Sequence, residues 1–250
     1  TIFEPLIASL LILIPTGSYS KMVKISSLLN STSDYAIRWA NNKRQVFLSC
    51  WNIPLYLLIS CSDLELMTKI LQNLNSLNWC DNINDGSAKI QLQENWNTFS
   101  EITSFLENIG SHIFKELNHR SYLFALQTFK EVMPSKSYWK RSKIDNKGSE
   151  YIQECVKNIL ESGMTTLSHL SCKYQVIAGT AIMEGFSKAW LDYIWNEKIK
   201  FSHSGGMQLC KDIDYIINWL NQYSITPEIK QKILTVDHIR KLIAVSQILG

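Results

Sequence analysis

His112, Glu116 and His119 stand four and then three residues apart. That spacing gathers three metal-ligating side chains on one face of a helix. Glu116-x-x-His119 is also half of the pattern by which helical bundles hold paired iron or manganese ions. Such a site needs a second Glu-x-x-His and two further glutamates from facing helices. No second Glu-x-x-His occurs in the chain, and the glutamate is misplaced for the His-Glu-x-x-His of zinc proteases. The face reads first as a solvated helix surface. A metal-dependent enzyme using His112, Glu116 and His119 is the minor alternative, and no metal or other cofactor is expected. Ser202-His203-Ser204-Gly205-Gly206 sets a serine beside a histidine, but a nucleophile elbow needs Gly-x-Ser-x-Gly between a strand and a helix. Here the order differs and both flanks are helical. The segment reads as a turn whose glycines permit positive φ, with Ser204 placed to cap the following helix. No phosphate-cradling loop and no dinucleotide fingerprint is present, so neither catalysis nor a small-molecule substrate is expected.

Two further groups could bind rather than react. Lys136, Lys140, Arg141, Lys143 and Lys147 surround Tyr138 and Trp139. Basic residues interleaved with aromatic rings can meet anionic headgroups or phosphates. Asp145 and Glu150 flank the group and no helix organises it, so a solvated loop is the first reading. Peripheral contact with anionic membranes or an acidic partner is the second, and nucleic acid is not expected. Trp190, Tyr193, Trp195, Tyr215, Trp219 and Tyr223 crowd one helix pair and read mainly as core. Trp190, Trp195 and Trp219, with Lys136, Trp139, Lys140, Arg141 and Lys143, are the candidates for contacts with partner proteins.

These side chains need a frame, and the frame reads as helical throughout. A buried helix is expected to end at 1–14, followed by short helices over 20–30 and 33–42. An apolar helix over 43–60 is expected to break or kink at Pro54. Asp63 is placed to cap a helix whose apolar positions Leu64, Met67, Leu71 and Leu74 recur at helical spacing. Residues 78–86 form a loop. The longest periodic segment, 87–132, carries Ile90, Trp96, Phe99, Ile102, Leu106, Ile109, Ile113, Phe114 and Leu117 in steps of three or four, with a bend expected near 118–121. Pro134 ends it. The polar, basic stretch 133–149 is the expected linker between a helical region, 1–132, and a C-terminal bundle, 150–250. Four helices are expected there, over 150–171, 172–200, 206–223 and 227–249. Thr226-Pro227-Glu228 is a strong start signal, with a capping hydroxyl, a proline at the first helical position and an acid in the first turn. Leu209, Ile213, Ile216 and Leu220 form one stripe, with Lys211, Asp212 and Asn218 off it. The fold class is all-α, an elongated antiparallel bundle.

Composition agrees. The chain of 250 residues is 46% hydrophobic and 19% charged, with only 10 Gly and 5 Pro. That describes a globular chain with long helices, not a disordered or turn-rich one. A net charge of +3 does not by itself argue for nucleic acid. The chain opens on a threonine inside an apolar run and is expected to be a C-terminal fragment. The runs 6–14 and 46–61 fall short of the roughly 18 to 20 apolar residues that span a bilayer. Six scattered cysteines without a Cys-x-x-Cys read as buried free thiols of an intracellular protein. Asn30-Ser31-Thr32 matches the glycosylation sequon by chance.

A resemblance narrows the role. Met133-Pro134-Ser135 with Trp139, Ala189-Trp190-Leu191-Asp192 and Ile199-Lys200-Phe201-Ser202 carry it. It continues through Gly206-Met207-Gln208-Leu209 with Asp212, and Pro227-Glu228-Ile229-Lys230-Gln231. Together these resemble the C-terminal region of the coiled-coil domain-containing protein 142 family, closely from Met133 onward and before that only in a helical, leucine-rich character. More distantly, the helix pair broken by a Ser/Gly turn is similar to C-terminal segments of vesicle-tethering subunits. The resemblance implies a cytoplasmic helical scaffold, peripheral to endomembranes, that binds other proteins and has no catalytic residue. Phe201, Ser202, Gly205, Gly206, Leu209 and Asp212 are then expected to set the turn and the packing.

Overall fold

A computed structural model of the chain describes residues 8, 12, 19–49, 64–75, 86–141 and 148–249. These are helical almost throughout, with no strand among them, so the fold is all-α. They fall into two compact units, one up to His112 and one from Ile113 onward. The break and kink expected at Pro54, the cap at Asp63 and Lys143 and Lys147 lie outside the described residues, as does most of the loop expected over 78–86. Of the buried helix expected at 1–14, only Ala8 and Ile12 are described, and both are helical and exposed.

In the first unit, α1 runs unbroken over Tyr19–Ser49, where three shorter elements were expected. The polar run at 30–33 does not stop it. The hydroxyls of Ser31, Thr32 and Ser33 turn back onto the carbonyls of Ser27, Leu28 and Leu29, so they stay inside the helix instead of competing with it. Met22, Ser26, Leu29, Ser33, Ala36 and Ala40 are buried, stepping by four and three in a heptad pattern. α2 spans Leu64–Asn75. α3 spans Gly86–Val132, a single helix with no interruption at 118–121, where a bend was expected. Its buried positions within this unit are Ala88, Leu92, Phe99, Thr103 and Leu106. Ile90 is 62% exposed and belongs to the opposite face, contrary to its expected place in the stripe. Side-chain bonds set the register. Asn30 donates to the Asn95 carbonyl at 2.9 Å, Asn95 donates to Ser26 Oγ at 2.9 Å, and Gln72 donates to Glu107 at 2.7 Å. Asn30 thus has its side-chain nitrogen committed.

The second unit begins with the rest of α3, which ends at Val132 just before Pro134. A short 3₁₀ turn, Tyr138–Lys140, follows. α4 (Glu150–Cys155) and α5 (Glu161–Leu167) are joined by a π-turn, Val156–Leu160, within what the pattern suggested was one helix. α6 (Cys172–Asn196) is the central helix. It is buried on several sides, at Ala178, Ile182, Met183, Phe186, Ala189 and Trp190. Phe129 of α3 packs its ring against Phe186, Trp190 and Tyr193. The Asn118 amide donates out of α3 to the Ala181 carbonyl, and so ties α3 to α6. α7 spans His203–Leu220 and packs on α9. α8 (Pro227–Leu234) and α9 (Asp237–Leu249) replace a single expected helix. The break falls at Thr235-Val236, and Arg240 Nε bonds the Thr235 carbonyl left there, at 2.8 Å.

Candidate functional site

Of the residues that carry the family resemblance, Trp139, Phe201, Ser202, Gln208 and Asp212 gather where the stretch after Pro134 closes over the start of α7. The break before α7 is built differently from the turn expected at Ser204 to Gly206. α6 ends in a paired-bond motif in which Lys198 N–H bonds the Trp195 carbonyl and Ile199 N–H bonds the Ile194 carbonyl. Lys198 takes the left-handed position of that motif at φ 50°. The positive φ is therefore at a lysine four residues before Ser202, while both glycines sit inside α7. Ser202, not Ser204, is the cap. Its backbone is extended and its hydroxyl accepts from Gly205 N–H at 3.1 Å.

Gly205 is needed for closeness rather than conformation. A Cβ there would lie 2.0 Å from the Trp139 carbonyl oxygen. That oxygen also accepts from Ser202 N–H at 2.9 Å and from the Ser202 hydroxyl at 3.2 Å. Trp139 itself is fully buried, edge-on to Phe201, Tyr138 and Tyr151. It is therefore unavailable to a partner or a membrane, contrary to its expected role as a contact residue. Trp190 is likewise fully buried. Trp219 is half-buried against Tyr223.

Two turns along α7 from Gly205, Asp212 is fully buried although it lies beside the apolar stripe of Leu209, Ile213, Ile216 and Leu220. Its Oδ1 accepts from Ser149 N–H at 2.7 Å and Gln208 Nε2 at 3.2 Å. Its Oδ2 accepts from the Tyr151 hydroxyl at 2.8 Å and the Ser149 hydroxyl at 3.1 Å. Because Ser149 donates to Asp212, the Tyr138 hydroxyl 2.7 Å away donates to Ser149. Burial raises the Asp212 carboxyl above the ordinary aspartate range, against the pull of these four hydrogen bonds. Burial, and then the nearby Asp212 charge, push the Tyr151 hydroxyl well above its ordinary value. A carboxylate has about four acceptor positions, and the four donors use them. A cleft of about 590 Å³ lies alongside, lined by Pro134, Tyr138, Arg141, Gly148, Tyr151 and Gln153 among others. The hydroxyls of Tyr138, Ser149 and Tyr151 are already bonded to one another or to Asp212, and Gln153 donates to the Gly148 carbonyl. Arg141 lies over the Tyr138 ring at 3.6 Å.

Sequence reasoning missed Ser149, Tyr151, Gln208 and Tyr138 as members of this cluster. Gln208 and Asp212, four apart on a helix, were the available signal, since that spacing puts both polar groups on one face.

The other candidates are dispersed. His112 and His119 are exposed, Glu116 is half-buried, and among the described residues no three His, Cys, Asp or Glu side chains gather as a metal site. Cys155 is buried, and burial raises its thiol far above the ordinary range, whereas Cys172 is exposed and Cys210 half-buried. Lys136 pairs with Glu197 at 3.3 Å, Lys140 is exposed, and Trp195 is 82% exposed.

The sequence model of the family described as "Coiled-coil protein 142" matches residues 2–249, so the likeness also covers the helices before Met133. The human protein "Coiled-coil domain-containing protein 142" is 24% identical over 217 residues, 84% of this chain and 28% of its own length. The mouse protein of that name is 24% identical over 220 residues, 84% of this chain and 29% of its own length. The chain therefore spans less than a third of the length of the curated relatives it matches. No solved structure matches.

Proposed function

The chain belongs to the coiled-coil protein 142 family, and from that premise we propose that it is a non-catalytic interaction module working through its helical surfaces. The filled carboxylate of Asp212 carries this reading. Asp212 is fully buried, and its acceptor positions are used by Ser149, Tyr151 and Gln208. A general acid or base must have a position open to substrate. Here the polar chemistry holds one segment of chain against another.

The surface offers contacts of a different kind. Leu28 and Tyr35 are exposed on α1, seven residues apart and so on one helical face. An apolar stripe of that spacing suits docking against a partner helix. The finer reading we propose is a role in vesicle tethering, in the cytoplasm and peripheral to endomembranes; it rests on the resemblance read from the sequence of the α6–α7 pair alone. Among the described residues no helix is long and apolar enough to cross a membrane.

The test is affinity purification of the full-length protein from cells, with quantitative mass spectrometry. Enriched tethering subunits or membrane-fusion proteins, lost with Leu28→Asp and Tyr35→Asp together, are the expected result. Unrelated but reproducible partners would overturn tethering alone. A bait that brings down nothing would overturn the interaction module.

A further inference from the structure

Trp195 is the most exposed tryptophan that the second unit presents, in the last turn of α6. Its neighbours are basic and come from two stretches of chain. Lys198 and Lys200 follow it and are exposed. Lys136 and Lys140 are carried alongside by the stretch after Pro134. The Lys136–Glu197 ion pair and the bond from Ser202 N–H to the Trp139 carbonyl hold the two stretches together. Four lysines and Glu197, which pairs with Lys136, leave a net charge of +3 in this group. Asp192 of α6 and Glu131 of α3 accept from the Tyr122 hydroxyl and the Gln127 amide, which fixes the two carboxylates in place but leaves their charge.

The second observation is backbone strain. Lys198 occupies the left-handed position that closes α6, where glycine is the ordinary choice. A lysine is disfavoured there by sterics, and strain of this kind collects at sites kept for function.

We propose that this surface, Trp195 with Lys136, Lys140, Lys198 and Lys200, docks the protein on an anionic lipid bilayer. The lysines meet headgroup phosphates and carboxylates. The indole, an apolar body with a polar edge, enters the boundary between headgroups and acyl chains. Clustered lysines near an anionic leaflet add attraction one by one and are weakened by salt. An acidic protein could also take the lysines and bury the indole; binding to neither charged nor neutral vesicles is the result that would favour it over the bilayer. This inference is independent of the protein-contact reading above. Either can fail while the other stands.

The experiment is co-sedimentation of the full chain with phosphatidylcholine vesicles, with and without phosphatidylserine, at low and high salt. Binding only to the charged vesicles, released by salt, is expected. Lys198→Ala with Lys200→Ala should lower the affinity about 25-fold, at about five-fold per lysine. Trp195→Ala should weaken binding several-fold and leave the salt dependence in place. Lys157→Ala and Lys232→Ala, at exposed lysines on other helical segments, should leave it unchanged. Lys198→Gly gives the discriminating result, a higher unfolding midpoint together with about five-fold weaker binding, because glycine relieves the strain and removes the charge. Four results would overturn the proposal. These are no binding to charged vesicles at low salt, equal loss for every lysine variant, full binding by Trp195→Ala, or Lys198→Gly that gains stability and keeps its affinity.

Discussion

The seam between α1 and α3 and the closure over the start of α7 solve the same packing problem by different means. In the seam, Met22, Leu29, Ala36 and Ala40 on one helix and Ala88, Leu92, Phe99 and Leu106 on the other repeat at heptad-like intervals. The amides of Asn30 and Asn95 add a light fixing of register. Over α7, register is set atom by atom. One carboxylate takes four donors, and one carbonyl oxygen sits where a methyl group cannot fit. Apolar stripes are non-directional and forgive small changes, whereas buried polar networks do not, since removing one member strands the rest. The two regions should therefore answer mutation differently.

The largest expected effect is at Asp212. Asp212→Ala leaves the Ser149 N–H, the Tyr151 hydroxyl and the Gln208 amide without their common acceptor, at a cost of about 3 to 5 kcal/mol. Urea denaturation of the full chain followed by circular dichroism measures it. A loss under about 1 kcal/mol would mean that the cluster is no more demanding than the seam. The same residue sets a pH dependence. Burial raises its folded-state pKa, so in the window between the ordinary aspartate value of about 3.9 and the raised one the folded state holds more protons than the unfolded state. Its contribution is full below that window and declines as pH rises through it. Asp212→Asn should remove that decline, seen as a flatter stability profile on the acid side of neutrality.

Gly205→Ala comes next, at about 3 kcal/mol, because the clash is with backbone, which cannot rotate away as a side chain can. Gly205→Ser should be no better. A shift in unfolding midpoint of under one degree for either would show that the segment after Pro134 moves easily off α7.

The seam answers with a smaller number. Asn95→Ala removes the donor to Ser26 Oγ, yet the Ser26 hydroxyl keeps its own bond to the Val23 carbonyl. The Asn95 carbonyl also still accepts from Asn30, since it is backbone. About 1 kcal/mol is expected, and a loss as large as that of Asp212→Ala would erase the distinction between the two regions.

The contrast also marks what could be read in advance. Period and punctuation were legible. The all-α class, the stripe Leu209, Ile213, Ile216 and Leu220, the stop before Pro134 and the start at Thr226-Pro227 follow from local sequence. Even so, the Thr226 hydroxyl does not cap the backbone; together with the Glu228 N–H it helps hold the exposed Glu228 carboxyl below its ordinary range. What depends on a distant partner was hidden. Asp212 was expected to help set the turn and the packing, but its partners were hidden, because Ser149 and Tyr151 are some sixty positions away and only folding brings them to it. The polar run 30–33 looked like a break because a hydroxyl can serve a turn or a helix equally well, and local sequence does not say which carbonyl it will find. Trp139 was assigned to the surface because its neighbours are lysines, while its ring is enclosed by Phe201 and Tyr151.

Glycine gives the smallest effect and the cleanest contrast. Gly86 and Gly205 each stand in the first turn of a helix, so sequence alone treats them alike. At Gly205 an added methyl group meets the Trp139 carbonyl, whereas at Gly86 it meets nothing within 4 Å. An alanine at Gly86 keeps the helical backbone and narrows the freedom of the unfolded chain, which raises stability by about 0.5 kcal/mol. The two single variants together separate the causes. If glycine matters only through local helix propensity, Gly86→Ala and Gly205→Ala should both stabilise. Opposite signs in the same unfolding assay mean that a tertiary contact, absent from any local reading of the sequence, decides which glycine the fold requires.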